Sequence, residues 1–283
     1  MASSKRTAFF VSDRTAITAE TLGHSLLTQF GSLEFRKESL RFVDSVERAE
    51  KVCQRIDQAA REDGARPLVF STLVTPEVRE VFRACDCVFL DFFDTFIAPL
   101  EQELGVKSTL TAGRSHGLTD IVQYSSRIEA LNFTLNHDDG STISRLEDAD
   151  IILVGISRTG KTPTCLYLSL RYGVRAANFP LTEEDLEELH LPASLKPHRD
   201  KLFGLTIEPT RLQQIRQERL PNSRYASLEQ CEYETRQAEA LFRKLGIPYL
   251  QSTLKSVEEI AATIIDMAGL EADKPPYRVP IHT

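Results

Sequence analysis

The chain has 283 residues, enough for one large domain or two modest ones with real cores. With 34 basic and 41 acidic residues its formal charge is −7, which argues against an extended nucleic-acid surface. The apolar runs fall short of a membrane span and the apolar region of "MASSKRTAFFVSD" is too short for a secretory signal, so a cytoplasmic protein without nucleic-acid or membrane partners is expected.

The first hundred residues alternate strand-like and helix-like patterns. "TAFFVSD" reads as a strand ending at Asp13, and "TAETLGHSLLTQF" as a helix. "LEFRKESLRFV" reads as a second strand, and "SVERAEKVCQRIDQAARED" as a charged amphipathic helix. "RPLVFST" is a third strand, followed by a helix that starts at Thr75-Pro76-Glu77. "CVFLDFF" supplies a fourth strand. Strands alternating with helices argue for a mainly parallel sheet covered on both faces. Around residues 100–119 the pattern gives way to "GVKSTLTAGRSHGL", and the domain boundary is placed at 105/106.

A helix follows with a stripe of Ile121, Tyr124, Ile128, Leu131 and Leu135 that suits core packing, closed by the polar turn "NHDDGS". Next come a strand at 151–154, a helix at 161–172, a short strand "RAANF" and a helix capped by Thr182. "KLFGLTI" is a strand and "PTRLQQIRQER" a helix. A long helix, "SLEQCEYETRQAEALFRKLG", has Ser227 and Gln230 placed as a capping box and stops at Gly246. "IPYLQST" and "SVEEIAATIIDMAGL" complete a strand and a helix. The fold class is therefore α/β: an N-terminal α/β domain (1–105), then a P-loop kinase-like domain with a mainly parallel sheet (106–272), then a loose tail (273–283). No internal repeat is visible. The five scattered cysteines, Cys53, Cys85, Cys87, Cys165 and Cys231, lack a C-x-x-C pair, so buried thiols are expected, with no structural disulfide and no zinc.

The most informative segment is Gly155-Ile156-Ser157-Arg158-Thr159-Gly160-Lys161-Thr162, which fits G-x-x-x-x-G-K-[ST] between an apolar strand and a helix. Two glycines let successive backbone N–H groups point inward at phosphate oxygens. Lys161 adds a mobile cation and is the first catalytic candidate, and the Thr162 hydroxyl can hold Mg²⁺. A helix starting at Lys161 aims its positive dipole end at the same anion. An ordinary glycine turn does not explain the Lys-Thr pair.

Phosphoryl transfer also needs metal coordination, charge compensation and a positioned acceptor. Glu208, after "LFGLTI", stands where a second metal-binding carboxylate could, and Asp91 has the same local look in the other domain. Asp148 and Asp150 precede their strand and fall at the wrong end. Arg211, Arg216, Arg219 and Arg224 together suggest a cationic lid, and Arg158 lies inside the loop itself. In the linker, Gly113-Arg114-Ser115-His116 and Asp120 combine a turn, a cation, a base and an acid, making His116 and Asp120 catalytic candidates.

Taken together, "VSDRTAITAETLGHSLLTQF", "AGRSHG", "RIEALNFTLNHDDG", "ADIILVGISRTGKTPTCLYLSLRYGVRAANFPL", "GLTIEPTRLQQIRQER" and "CEYETRQAEALFRKLGIPYLQST" resemble, in order, the regulatory proteins of phosphoenolpyruvate synthase. The regulators of pyruvate, phosphate dikinase share the pattern. The resemblance spans about residues 7–270. It implies a homodimeric, bifunctional enzyme. One activity is an ADP-dependent serine/threonine kinase that inactivates phosphoenolpyruvate synthase. The other is a phosphorylase that uses phosphate to reverse this and releases pyrophosphate. Residues 155–162 would then hold ADP in one direction and phosphate in the other. The first family motif commonly reads Ser-Asp-Ser/Gly-Thr-Gly, whereas this chain has Ser12-Asp13-Arg14-Thr15-Ala16, and alanine adopts positive φ less readily than glycine. Two other readings fit the loop alone: an ATP-dependent kinase of a small metabolite, and a nucleotide sensor without catalysis. A small-molecule kinase has little need of the N-terminal domain, and a mere phosphate cradle can do without Lys161 and Thr162.

Overall fold

A computed structural model describes residues 6–109, 121–140 and 145–270. The chain divides into two compact units, residues 1–117 and 118–283.

The first unit alternates β1 (Arg6–Val11), α1 (Ile17–Leu27), β2 (Phe35–Leu40), α2 (Val46–Asp63), β3 (Leu68–Ser71), α3 (Pro76–Arg83), β4 (Val88–Asp91) and α4 (Phe92–Leu104). Its four strands pair in parallel in the order β2-β1-β3-β4. Phe9 and Val69 pack under α2 and α3 on one face, with Ile56 and Phe82. Phe10 and Phe70 pack under α1 on the other, with Ala19 and Leu27. Strands apolar on both sides follow from a sheet covered on both faces.

Helix α4 corrects the reading of "CVFLDFF" as strand throughout. The strand stops at Asp91, whose carboxylate accepts the Asp94 N–H at 2.8 Å and caps a helix. The cysteines also correct an expectation. Cys53 on α2 and Cys85 just beyond α3 form a disulfide, with their Cα atoms 5.9 Å apart. The packing of α2 on α3 brings together two residues 32 apart in sequence, within the span a disulfide requires. Cys87, Cys165 and Cys231 are free and buried, and burial pushes the Cys87 thiol up to about 11.

The second unit contains α5 (Ile121–Asn136), β5 (Ile151–Gly155), α6 (Lys161–Tyr172), β6 (Ala176–Pro180), α7 (Glu183–Glu187), β7 (Leu202–Thr206), α8 (Pro209–Arg219), α9 (Leu228–Leu245), β8 (Tyr249–Gln251) and α10 (Val257–Ala268). Its strands also pair in parallel, in the order β6-β5-β7-β8. The central strand β5 is buried along its length. Ile151 and Leu153 face a core with α6 and α10, while Ile152 and Val154 face α9.

The inward face of α5 departs from the stripe read from the sequence at Leu135, while Ile128 and Leu131 are half-buried and the side chains of Ile121 and Tyr124 lie outside the described residues. Ala130 and Thr134 are buried and Phe133 packs on the core, whereas Leu135 is 56% exposed. The Thr134 hydroxyl donates to the Ala176 carbonyl at 2.8 Å, anchoring α5 to β6 through a polar residue that apolar periodicity passes over. The Ser227 side chain accepts the Gln230 N–H, but the Gln230 amide turns to Glu183 and Glu234, so the box is half closed. Asp150 sits at the start of β5 and binds the Arg175 backbone and guanidinium, a structural brace away from the P-loop.

Candidate active site

Strand β5 delivers the P-loop at its carboxyl end, between β6 and β7, the position where parallel α/β sheets bind ligands. Gly155 is required by a close approach, since a Cβ there would run into the Leu205 carbonyl of the neighbouring strand. Gly160 has φ 93° and directly precedes α6, so it takes the left-handed cap without strain. Arg158 adopts φ 75°, a conformation uncommon outside glycine. No side chain caps α6, which leaves its first N–H groups for a ligand.

Lys161 is 5% exposed and its ammonium donates to the Ile156 carbonyl at 2.9 Å, folding back across the loop. Burial lowers its pKa to about 8, with Asp139 the strongest opposing influence. An ammonium so desolvated is poised to gain from an incoming anion. The Thr159 hydroxyl donates to the same Ile156 carbonyl, closing the loop on itself.

Three residues that sequence reading missed complete the site. The Thr162 hydroxyl donates to Asp138 at 2.9 Å. Asn178, a buried polar residue on β6, donates its amide to Asp138 at 2.6 Å, Asp139 at 3.1 Å and the Thr162 oxygen at 2.9 Å. Asp138 and Asp139 lie in the 3₁₀ turn Asp138–Gly140 after α5, where Asp139 adopts φ 51°. The turn is tied to β6 by the Asn178 N–H, which donates to the His137 carbonyl at 3.0 Å. A polar residue inside the apolar strand "RAANF" and two adjacent carboxylates in "NHDDGS" were the available signals.

A cavity of about 270 Å³ is lined by Asp139, Ser157, Arg158, Lys161, Thr162 and Arg219, among others. It thus combines three cations, a carboxylate and the loop. Glu208 is not brought to it: the residue is exposed before α8, where its N–H donates to Thr253. Asp91 belongs to the first unit and bonds Ser71 there. Of the four arginines expected in a lid, Arg219 reaches the cavity, Arg211 bonds Gln214, and Arg224 pairs with Glu183 at 2.5 Å. Arg216 is fully buried, so it is no lid residue. His116 and Asp120 lie outside the described residues.

The geometry fits a phosphorylated ligand. The loop residues Ser157, Arg158 and Gly160, the desolvated Lys161 and the uncapped start of α6 come together at one cavity. Thr162 and Asp138 supply the hard oxygen donors that suit Mg²⁺.

The chain is 55% identical over 267 residues to a protein of Laribacter hongkongensis named "Putative phosphoenolpyruvate synthase regulatory protein", covering 94% of this chain and 97% of that one. A protein of the same name from Alkalilimnicola ehrlichii is 55% identical over 271 residues, covering 96% and 98%. One from Ectopseudomonas mendocina is 54% identical over 267 residues, covering 94% and 98%. Residues 8–265 match the model of the kinase/pyrophosphorylase family, a span that takes in both sheets and the P-loop. With its match running almost end to end, the chain belongs to the kinase/pyrophosphorylase family.

Proposed function

We propose that the protein is a bifunctional regulator of phosphoenolpyruvate synthase. As a kinase it transfers the β-phosphoryl group of ADP to a threonine of that enzyme and inactivates it. As a phosphorylase it uses phosphate to remove the group, releasing pyrophosphate and restoring activity. The observation that carries this reading is the formed P-loop, whose buried Lys161 shares one cavity with Asp139, Arg158 and Arg219. The names of near-full-length relatives support the target enzyme.

In the forward direction the threonine oxygen attacks the β-phosphorus, the bond to the bridging oxygen breaks, and AMP leaves. Asp139, on the cavity wall, is placed to accept the hydroxyl proton. Lys161 and the α6 N–H groups hold the phosphates, while Arg158 and Arg219 neutralise charge on the transferring group. In reverse, a phosphate oxygen attacks the phosphothreonine, the ester bond breaks, and the leaving threonine oxygen regains a proton. One cradle accepts either a diphosphate or free phosphate, so the second unit works as a P-loop kinase-like domain in both directions. Thr162 and Asp138 would hold Mg²⁺, which supplies further charge neutralisation when bound. His116 and Asp120 belong to the same proposal as further catalytic groups.

The protein is further proposed to be a cytoplasmic homodimer; among the described residues no helix is long and apolar enough to cross a membrane. Phe96, Leu100 and Leu104 form an exposed i, i+4, i+8 stripe on α4, and Leu22 and Leu26 are exposed on α1, which supports an apolar subunit contact. Light scattering should give twice the chain mass, and a monomer at all concentrations would sink that part.

The test of activity mixes the protein with phosphoenolpyruvate synthase and ADP labelled in the β-phosphate. Label is expected in a target threonine, and unlabelled phosphate should then release it as pyrophosphate. Transfer only from the γ-phosphate of ATP, or transfer to a small metabolite instead, would overturn the reading. Label appearing in added pyruvate, phosphate dikinase but not in the synthase would keep the chemistry and replace the target.

A further inference from the structure

Helix α8 was expected to carry a lid, yet its Arg216 has no exposed surface at all. The guanidinium is committed to three different parts of the second unit. It donates to the Ser157 carbonyl of the P-loop at 3.2 Å, to the Tyr225 carbonyl at 3.1 Å and to the Glu234 carboxylate on α9 at 2.6 Å. Its central carbon also lies 4.1 Å from the centre of the Tyr225 ring. Tyr225 in turn meets the P-loop itself, its hydroxyl 3.0 Å from the Ser157 hydroxyl. Ser157 is therefore held at both its backbone and its side chain, immediately before Arg158 with its left-handed φ of 75°.

We propose that Arg216 and Tyr225 pin the P-loop in its anion-binding shape before any ligand arrives, making both of them positioning residues for phosphate and ADP. The inference rests on the P-loop being the active site. The physical reason for the pin is the loop's own composition. Inward-turned N–H groups repel one another and Arg158 pays for its backbone conformation, so an empty cradle tends to open. A buried guanidinium on the outer, carbonyl side of the loop holds those peptides turned inward. Arginine suits the task because its planar fork reaches two carbonyls and a carboxylate at once, which a lysine ammonium does not match. Arg216 does not line the cavity, so it acts on the ligand through the loop rather than by contact. Glu234 balances the buried charge and ties the loop to α9.

The test is hydrogen exchange of the ligand-free protein, combined with steady-state kinetics in both directions. Arg216→Lys should speed exchange in residues 156–160 while the strand amides of β5 and β7 keep their protection, and saturating ADP should restore the loop. KM for ADP and for phosphate should each rise about tenfold, with a smaller change in kcat. Tyr225→Phe removes one hydroxyl at the rim and should reproduce the exchange effect more weakly, so a poorly folding arginine variant does not shield the proposal. Unchanged loop exchange and unchanged KM in Tyr225→Phe and in any folded Arg216→Lys would overturn it. So would loss of protection spread evenly over α8 and α9 that ADP fails to reverse, which marks a purely structural role. Lys161→Ala is the control for the underlying reading: if that variant still binds ADP, the assignment of the site has failed rather than the pin.

Discussion

The two units repeat one strand order, with the second strand outside the first and the third and fourth following on the other side. In both, the first strand ends in a loop whose last residue is left-handed and precedes a helix that no side chain caps: Ala16 at φ 63° before α1, Gly160 at φ 93° before α6. The edges nevertheless carry opposite chemistry. The second unit places a buried lysine in its loop and gathers Arg158 and Arg219 around a cavity. The first unit buries Asp13 instead, whose Oδ2 has no hydrogen-bond partner among the described residues and whose pKa is raised by desolvation. Its other edge groups are consumed internally, with Ser71 bonded to Asp91 and Asp91 capping α4. The shared architecture supplies a place for a ligand; the loop residues decide whether an anion is welcome there.

The largest effect should come from the lysine that only one loop has. Lys161→Ala is expected to lower both activities by at least about a hundredfold with the second unit still folded, as followed by label transfer and circular dichroism. Retention of either activity would mean that the cradle does not serve that direction.

Next in size is a stability difference confined to the first unit. Opening the Cys53–Cys85 disulfide with a reductant or with Cys53→Ser is expected to destabilise that unit by about 4 kcal/mol, given the 32-residue separation, and to leave ADP binding unchanged. Calorimetry with and without reductant checks this, and an unmoved transition would count against the link.

The pH dependence should separate the loops further. Lys161 releases its proton near pH 8 in the folded protein, below the 10.5 of a free lysine. Between those values the unfolded chain holds a proton that the folded chain has lost, so this group's contribution to stability rises with pH across that window. A bound phosphate favours the charged lysine, so ADP affinity should fall by up to about tenfold for each pH unit above 8. Titration calorimetry at pH 8.5 in buffers of different ionisation enthalpy should show proton uptake on binding; proton release would contradict the assignment.

The smallest contrast lies in the two cap residues. Gly160→Ala should destabilise by about 1 kcal/mol from backbone strain alone, since no atom lies within 4 Å of its added Cβ. Ala16→Gly should relieve the same strain and stabilise by less than about 1 kcal/mol, because glycine loses more freedom on folding. Denaturant titrations giving shifts of the same sign would break the parallel.

What the sequence made legible was local. The P-loop, the parallel α/β class and most helix starts are written in contiguous residues, and their caps confirm it at Thr182 and Ser256. The partners of the P-loop were not legible, because Asp138 and Asn178 meet Thr162 only once β6 lies beside β5. Helix α4 was hidden by Phe92 and Phe93, which extend an apolar strand pattern, although Asp91 and Asp94 had marked its start. The role of Arg216 was inverted for a related reason. Its spacing on α8 looks like that of Arg219, and only the packing of α9 decides which of the two is buried.

The claim that one of two alike edges is the nucleotide site is tested most directly by calorimetric titration of ADP into the intact protein and into Lys161→Ala. One ADP per chain is expected for the intact protein, and no binding for the variant. Two ADP per chain, or an undiminished isotherm with Lys161→Ala, would contradict the assignment of ADP to the loop of the second unit alone.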